Sequence, residues 1–119
     1  MKILLLEDDL ILNEILEEHL IKQKHQITTT FSSNEAIKEL YSETFDLLLL
    51  DVNVPDLNGF ELLKELRDNN ILTPTIFITS LNMVEDMQKG FDNGCYDYIK
   101  KPFELKELDI RINNIKRLF

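Results

Sequence analysis

Residues 47–51 read Leu-Leu-Leu-Leu-Asp, and this stretch indicates the fold more clearly than any other in the chain. A run that is apolar throughout, with no polar alternation, is typical of a strand buried on both faces of a parallel sheet. Pro55, Asn58 and Gly59 follow, and then come apolar residues at helical spacing from 60 to 66. Asn58-Gly59 can also mark a hairpin turn, but the helical pattern after it favours a loop that leads into a helix.

The same succession of strand and helix extends in both directions from this stretch. Strands are expected at 3–6, 26–31, 47–50, 74–79 and 96–99, followed in turn by helices at about 12–20, 32–40, 60–66, 84–91 and 105–115. Alternating units of this kind form parallel sheets, and right-handed crossovers place the helices on both faces. We therefore expect an α/β fold with a doubly wound, five-stranded parallel sheet and five helices on two faces.

Length, charge and cysteine content narrow the class of protein. The 119 residues fit one compact domain, which we expect to span 1–119. A net charge of −9 argues against a nucleic-acid surface, because phosphate contacts need clustered Lys and Arg. No apolar run approaches the roughly 20 residues that span a membrane, and the apolar start is too short for a signal peptide. Cys95 is the only cysteine, which excludes an internal disulfide and fits a buried thiol in a cytoplasmic protein.

The ends of the predicted strands supply complementary polar groups. Glu7-Asp8-Asp9 follow the first strand, Asp51 ends the third, Thr79 ends the fourth, and the fifth runs into Lys101. In doubly wound sheets, ligands bind beyond these carboxyl ends. Carboxylates that crowd together raise each other's pKa values or require a cation, and oxygen ligands suit magnesium. The pattern predicts a magnesium site that holds a phosphoryl group against Asp51, with Lys101 and Thr79 contacting its oxygens.

Each of these residues also has an ordinary structural interpretation. Asp51 can begin a turn, Asp8 or Asp9 can cap the first helix, and Glu7 can be a solvated surface acid. Thr79 can be a strand residue and Lys101 an exposed lysine. The joint pattern favours one site, because four strand ends supply parts that complement one another.

These residues and their motifs resemble the receiver (response-regulator) domain of two-component signalling, and the likeness covers the whole chain. It rests on residues 3–9 (ILLLEDD), 47–51 (LLLLD), 54–63 (VPDLNGFELL), 76–80 (IFITS), 94–98 (GCYDY) and 101–103 (KPF). The resemblance implies a flavodoxin-like sheet with the strand order 2-1-3-4-5.

The resemblance also implies a role for each site residue. Asp51 would be the phosphoacceptor, Asp8 would ligate Mg²⁺ directly, Glu7 would act largely through water, and Asn53 would offer its backbone carbonyl. The groups that contact the phosphoryl oxygens would be the Thr79 hydroxyl and the Lys101 ammonium group. The peptide bond between Lys101 and Pro102 is commonly cis in such domains.

The same resemblance implies a conformational switch, a kinase partner and slow hydrolysis of the phosphoryl group. The Tyr98 ring would turn inward as Thr79 moves towards the phosphate, so that phosphorylation shifts a conformational population. The phosphoryl donor would be a phosphohistidine on a sensor histidine kinase, and the chain would be a phosphoacceptor rather than an enzyme in its own right. Asn53 and Leu81 would flank the route of the attacking water. Leu81 cannot orient that water, which suggests slow hydrolysis.

Among receivers, the chain resembles those of the winged-helix (OmpR/PhoB) transcriptional regulators. These dimerise through the fourth helix, fifth strand and fifth helix with cross-subunit ion pairs, and Asp97 with Arg111 matches one such pair. Three positions depart from that pattern: Met87 and Asn113 stand where basic residues are usual, and Tyr96 where an acid is usual. The likeness implies that transcription is controlled by a DNA-binding domain outside this chain; a free-standing receiver is the alternative.

Two other functions are compatible with this layered fold. A phosphatase of the haloacid-dehalogenase type also uses an aspartate nucleophile and magnesium, but it needs a second aspartate where Asn53 stands, and its nucleophile follows the first strand. A flavodoxin-like flavin carrier would need a phosphate-binding loop rich in hydroxyl groups and glycine after the first strand. Glu7, Asp8 and Asp9 would repel that phosphate.

Overall fold

The computed structural model describes residues 1–80, 88, 92 and 94–119, and these contain a five-stranded parallel sheet with four helices. The elements are β1 (Lys2–Leu6), α1 (Leu10–Lys22), β2 (Gln26–Thr30), α2 (Ser33–Ser42), β3 (Leu47–Asp51), α3 (Gly59–Asp68), β4 (Thr75–Thr79), β5 (Asp97–Lys100) and α4 (Leu105–Leu118). The strand order is β2-β1-β3-β4-β5, which confirms the predicted order 2-1-3-4-5. The described residues thus hold four helices where five were predicted. The remaining one, expected at 84–91, lies outside the described residues except at position 88.

The register of the sheet brings the carboxyl ends of its central strands to one edge. Leu6 of β1 pairs with Leu50 of β3, so the next residues along these strands are Glu7 and Asp51. Asp51 pairs in turn with Ile78 of β4, and Thr79 pairs with Lys100 of β5. The residues predicted to form a site therefore leave the sheet side by side.

Helices cover both faces of the sheet, which explains the apolar run in β3. Leu48 and Leu50 pack in a core with side chains of α2 and α3, while Leu47 and Leu49 pack in a second core with side chains of α1 and α4. All four leucines are fully buried. Alternate residues of a strand point to opposite faces, so each face needs its own apolar partners.

Polar side chains cap the first three helices at the edge where the site was predicted. Asp9 accepts hydrogen bonds from the backbone N–H groups of Ile11 and Leu12, and Ser32 caps α2. Asn58 and Glu61 form a reciprocal capping box at the start of α3. The sequence Asn58-Gly59 is therefore a loop leading into a helix, as predicted, and not a hairpin.

Gly59 permits a close approach between α3 and the end of β3. Its N–H donates to the Val52 carbonyl over 2.8 Å. A Cβ atom at Gly59 would lie 2.7 Å from the Asp51 carbonyl oxygen and 2.8 Å from Val52 Cα. Since both are backbone atoms, a side chain here would displace the chain that carries Asp51.

Cys95 is buried, as predicted from its being the only thiol. Burial raises the pKa of its thiol to about 12, and the nearby charge of Asp97 acts in the same direction. In the described ranges, no helix is both long enough and apolar enough to cross a membrane.

Candidate functional site

Three carboxylates converge at the carboxyl edge of the sheet. Glu7, Asp8 and Asp51, which we call the acidic cluster, each offer an oxygen that lies within 4.8 Å of those of the other two. Glu7 is fully buried, Asp51 is 4% exposed, and Asp8 is exposed to solvent. Interpreting Glu7 as a solvated surface acid is therefore wrong, because no part of the residue is exposed to water.

Lys101 bridges two members of the acidic cluster. Its Nζ atom donates to Glu7 Oε1 over 2.6 Å and to Asp51 Oδ2 over 2.9 Å. The backbone N–H of Lys101 donates to the Thr79 carbonyl over 2.8 Å, which anchors the loop that follows β5. The peptide bond to Pro102 is cis, as predicted. Lys101 is thus a partly buried site residue, with its side chain 20% exposed, and not an ordinary surface lysine.

Burial and charge change the protonation behaviour of this pair. The pKa of Glu7 is raised to about 7, mainly by burial and also by the negative charge of Asp51, against the opposing hydrogen bond from Lys101. Burial alone would lower the pKa of Lys101, but its hydrogen bonds to Glu7 and Asp51 outweigh that effect and raise the pKa. A single ammonium group serves two buried carboxylates and the exposed Asp8, so the site favours a further cation.

Backbone N–H groups hold both buried carboxylates in the same way. Asp9 N–H donates to Glu7 Oε2 over 3.0 Å, and Asn53 N–H donates to Asp51 Oδ1 over 3.1 Å. In each case the donor lies two residues after the acid. Asp9 also caps α1, so of the two candidates for that cap, Asp9 has it and Asp8 lies in the acidic cluster.

Thr79 and Tyr98, the predicted switch residues, are both buried. Thr79 is the last residue of β4, one position beyond the residue that pairs with Asp51. Tyr98 is 8% exposed, and its ring centroid lies 6.5 Å from that of Phe77. Both rings belong to the core formed with side chains of α2 and α3. Leu81 and Met87, which also entered the sequence predictions, lie outside the described residues.

Asp97 and Arg111, predicted to pair across a dimer, pair within this chain. Arg111 Nη1 lies 2.8 and 2.9 Å from the two carboxylate oxygens of Asp97, and Glu107 accepts from Arg111 over 3.3 Å. The pairing links β5 to α4 on the outer side of the sheet. Whether the same residues meet in a dimer stays a prediction.

Sequence reasoning missed two buried polar residues that hold the loops of the site. Asn13 Nδ2 donates to the Glu7 carbonyl over 2.9 Å and to the Thr30 carbonyl over 3.3 Å. Ser33 Oγ donates to the Pro55 carbonyl over 3.0 Å and accepts from Leu57 N–H over 2.8 Å. Helical periodicity gave no signal for Asn13, because a polar residue of an amphipathic helix is ordinarily assigned to its exposed face.

The donor set of the acidic cluster fits a hard divalent cation. It consists only of oxygen atoms, and magnesium accepts one or two protein carboxylates while keeping waters or phosphate oxygens on its other positions. The exposure of Asp8 leaves one side of the cluster open to such ligands. The carboxylate of Asp51, within this group, can act as a nucleophile on an incoming electrophile.

Comparisons with known proteins agree on a single family. The family described as "Response regulator receiver domain" matches residues 3–113. Transcriptional regulatory protein CrdR of Helicobacter pylori is 44% identical over 119 residues, covering 99% of this chain and 54% of that protein. Transcriptional regulatory protein CiaR of Streptococcus pneumoniae is 41% identical over 111 residues, covering 93% of this chain and 49% of that protein. The chain thus spans about half the length of these curated relatives.

Among solved structures, the Francisella response regulator 1452 receiver domain has a TM-score of 0.94 and 33% identity, covering 99% of this chain and 98% of that one. The BeF3-activated DrrB receiver domain has a TM-score of 0.88 and 28% identity, covering 98% of this chain and 97% of that one. TrrA of Thermotoga maritima, solved in complex with Mg(2+)-BeF, has a TM-score of 0.86 and 25% identity, covering 96% of this chain and 97% of that one.

Proposed function

This chain belongs to the response regulator receiver domain family, and on that basis we propose that Asp51 accepts a phosphoryl group from a histidine kinase. Members of this family are phosphoacceptor switches of two-component systems. The observation that carries the assignment to Asp51 is its position between Glu7, Asp8 and Lys101, with the ammonium group 2.9 Å from its Oδ2 atom. Glu7 shares the burial, the acidic neighbours and the lysine, and it is the motif at the end of the third strand that assigns the acceptor role to Asp51 rather than to Glu7.

We propose that the acidic cluster holds Mg²⁺. Asp8 and Asp51 would supply carboxylate oxygens, Asn53 its backbone carbonyl, and Glu7 would act largely through water. When bound, the ion neutralises negative charge on the acceptor and on the phosphoryl oxygens. The Mg(2+)-BeF complex of TrrA, a receiver with the same fold, supports this choice of ion.

The transfer itself is a displacement at phosphorus. A carboxylate oxygen of Asp51 attacks the phosphorus atom of the kinase phosphohistidine, a P–O bond forms, and the P–N bond breaks with its electrons returning to the imidazole. Lys101 exchanges contacts with Glu7 and Asp51 for contacts with a phosphoryl oxygen. The Thr79 hydroxyl donates to a second oxygen.

The conformational signal follows from the contact between the Thr79 hydroxyl and the phosphoryl oxygen. Movement of Thr79 towards the phosphate would favour one arrangement of the Thr79 and Tyr98 region over another, a population shift that changes the face formed by β5 and its neighbouring helices. The full-length relatives are transcriptional regulators about twice as long as this chain. We therefore propose that the switch controls transcription through a DNA-binding domain outside residues 1–119, which form the receiver domain.

Homodimerisation would use the same face. Arg111 pairs with Asp97 in this chain, so a cross-subunit pair would require that contact to open and re-form between two copies. Binding to the kinase and location in the cytoplasm remain predictions from the family.

The phosphoryl group would be lost slowly to water, because Leu81 cannot orient a water molecule along the route of attack. A Leu81→Glu variant would test this part of the proposal. Its phosphorylated form should lose the phosphoryl group faster than wild type when intact mass is followed after the donor is removed. An unchanged lifetime would contradict the role given to Leu81.

The central experiment is intact-mass measurement after incubation with acetyl phosphate and Mg²⁺. Wild type should gain one phosphoryl group, and Asp51→Ala should gain none. Asp68→Ala removes an exposed aspartate of α3 and serves as the matched control, which should be modified like wild type. Equal modification of wild type and Asp51→Ala would mean that another residue is the acceptor.

A further inference from the structure

We infer that Asn13 is a positioning residue for the cation-binding carboxylates, acting through the backbone carbonyl of Glu7. This inference rests on the metal site of the proposed function. Asn13 lies on α1, outside the acidic cluster, and its side-chain amide donates to the Glu7 and Thr30 carbonyls rather than to a carboxylate. Its amide instead contacts the chain at the point where β1 ends.

Asn13 is a buried amide on a helix that leaves several apolar residues exposed. It is 2% exposed, whereas Ile11 is 72% exposed and Ile15 is 44% exposed. A buried amide is costly unless it forms hydrogen bonds, so helix packing alone would favour an aliphatic side chain at this position. The amide has a specific use, since Nδ2 donates to the carbonyl of Glu7, which directly follows β1, and to that of Thr30, the last residue of β2.

The first of these carbonyls belongs to the peptide bond between Glu7 and Asp8. Fixing its oxygen fixes the plane of that bond, and therefore the direction in which the chain leaves the sheet. The N–H of Glu7 is fixed as well, by a 3.1 Å hydrogen bond to the Thr30 carbonyl. Both backbone groups of Glu7 are thus tied, and the second carbonyl bound by Asn13 is that of the same Thr30.

Asp8 depends most on this arrangement. Its side chain is exposed, so little packing surrounds it, and its direction is determined by the backbone before and after it. Asn13 holds the peptide bond on one side, and Asp9 begins α1 as its cap on the other. Groups that orient metal ligands from outside the coordination sphere typically change metal affinity by about 10–100-fold when they are removed.

A merely structural role would make Asn13 an anchor between α1 and the sheet, with no effect on the cation. The test is calorimetric titration with Mg²⁺ alone, on wild type, Asn13→Leu and Leu20→Ala. Asn13→Leu keeps the volume of the side chain and removes the amide. Leu20→Ala weakens the packing of the same helix at a fully buried position far along it from the acidic cluster.

We expect the Mg²⁺ Kd of Asn13→Leu to rise by about tenfold or more, and that of Leu20→Ala to stay within about twofold of wild type, although Leu20→Ala unfolds at a lower temperature. If Asn13→Leu does not fold, Asn13→Ala takes its place with the same expectation. A Kd within threefold of wild type for a folded Asn13 variant, or an equal rise for Leu20→Ala, would overturn the inference.

Phosphorylation by acetyl phosphate separates this inference from the proposed function. A wild type that binds Mg²⁺ but gains no phosphoryl group would refute the proposed function, while the ratio of Kd values would still decide the role of Asn13. A wild type that binds no Mg²⁺ would overturn both.

Discussion

The two ends of the sheet each carry a lysine paired with acidic residues, and the two pairs differ in burial. At the amino end, Lys2 Nζ lies 3.2 Å from Glu43 Oε2, with side chains that are 38% and 46% exposed. At the carboxyl end, Lys101 lies 2.6 Å from Glu7 and 2.9 Å from Asp51, whose side chains are 0% and 6% exposed. The chemical groups are the same, and only their surroundings differ.

The surroundings determine what each pair can do. Water and salt screen the Lys2 pair, and exposed pairs of this kind contribute little to stability. At the other end, removing one partner leaves an uncompensated buried charge, which is strongly unfavourable. A phosphoryl group or a cation therefore interacts strongly with the buried charges around Lys101 and only weakly with the screened charges around Lys2.

The largest effect should come from Lys101→Met. Removing one positive group that stabilises the transferring phosphoryl oxygens should slow phosphorylation by acetyl phosphate about 100-fold at saturating Mg²⁺, as removal of a single oxyanion donor does in enzymes. The same variant should bind Mg²⁺ more tightly, because Glu7 and Asp51 lose their resident cation. Rates come from intact mass against time, and affinities from calorimetry.

Lys2→Met is the matched control for that experiment, because it removes a lysine of the other end of the sheet. Its phosphorylation rate should equal that of wild type. If Lys101→Met slowed the reaction less than fivefold, or if both variants slowed it equally, the contrast between the two ends would be lost.

Gly59→Ala should produce the next largest effect, by moving the backbone of the acceptor. The added Cβ would lie 2.7 Å from the Asp51 carbonyl oxygen, so α3 and the end of β3 must separate. Overpacking of this kind costs about 1–3 kcal/mol of the free energy of unfolding, which denaturant titration measures. An unchanged midpoint would show that the loop absorbs the methyl group. Ser42→Ala, at an exposed helix position, should leave the midpoint nearly unchanged.

The pH dependence of Mg²⁺ binding should show a smaller effect, about tenfold in Kd between about pH 6 and about pH 8, because metal ligands must lose their protons. Burial raises the pKa of Glu7 from 4.5 to about 7, so protons compete with the cation below pH 7 and affinity falls as the pH falls. Titration calorimetry at both pH values measures the change. Glu7→Gln should bind less tightly and lose most of this dependence. An equal dependence in Glu7→Gln would assign it to another group.

The raised pKa of Glu7 also makes the stability of the metal-free protein depend on pH, and this dependence has the opposite sign: stability falls as the pH rises. Between the ordinary pKa of 4.5 and the raised pKa of about 7, the folded state binds more protons than the unfolded state. The contribution of Glu7 to stability is therefore fully present below pH 4.5 and is lost as the pH rises through 7. Thermal unfolding without Mg²⁺ across this window should show the decline in wild type and a weaker one in Glu7→Gln.

The smallest effect should be that of Lys2→Met on stability. An exposed pair contributes about 0–1 kcal/mol, so the midpoint in denaturant should hardly move, and added salt should reduce even that change. A loss well above this range would mean that the contact of Lys2 Nζ with the Phe45 ring, 5.4 Å from its centroid, matters more than the ion pair.

Local sequence patterns were sufficient for the framework of the fold. Leu47 to Leu50 predicted a strand covered on both faces, because an apolar run without alternation has no face to give to water, and all four residues are fully buried. The Asn58-Gly59 loop was also predicted correctly, because the apolar spacing after it is helical. The edge of the sheet on which the site lies follows from the parallel strands alone.

The interior of the site could not be predicted in the same way. The two contacts of Lys101 join residues 94 and 50 positions apart, and no local period encodes such a pairing. The burial of Glu7 depends on that contact, so it was missed with it. Helical periodicity was likewise insensitive to Asn13, which is buried where an apolar residue would be expected, and to Ile15, which is exposed.

The single thiol has a practical consequence for studies of this protein. Cys95 lies at 8% exposure with a pKa raised to about 12, so its reactive thiolate form is scarce at neutral pH. Alkylating and spin-label reagents should therefore pass it over in the native state. A second cysteine placed at an exposed position would be modified selectively, and distances to a probe there could be recorded without first replacing the natural residue.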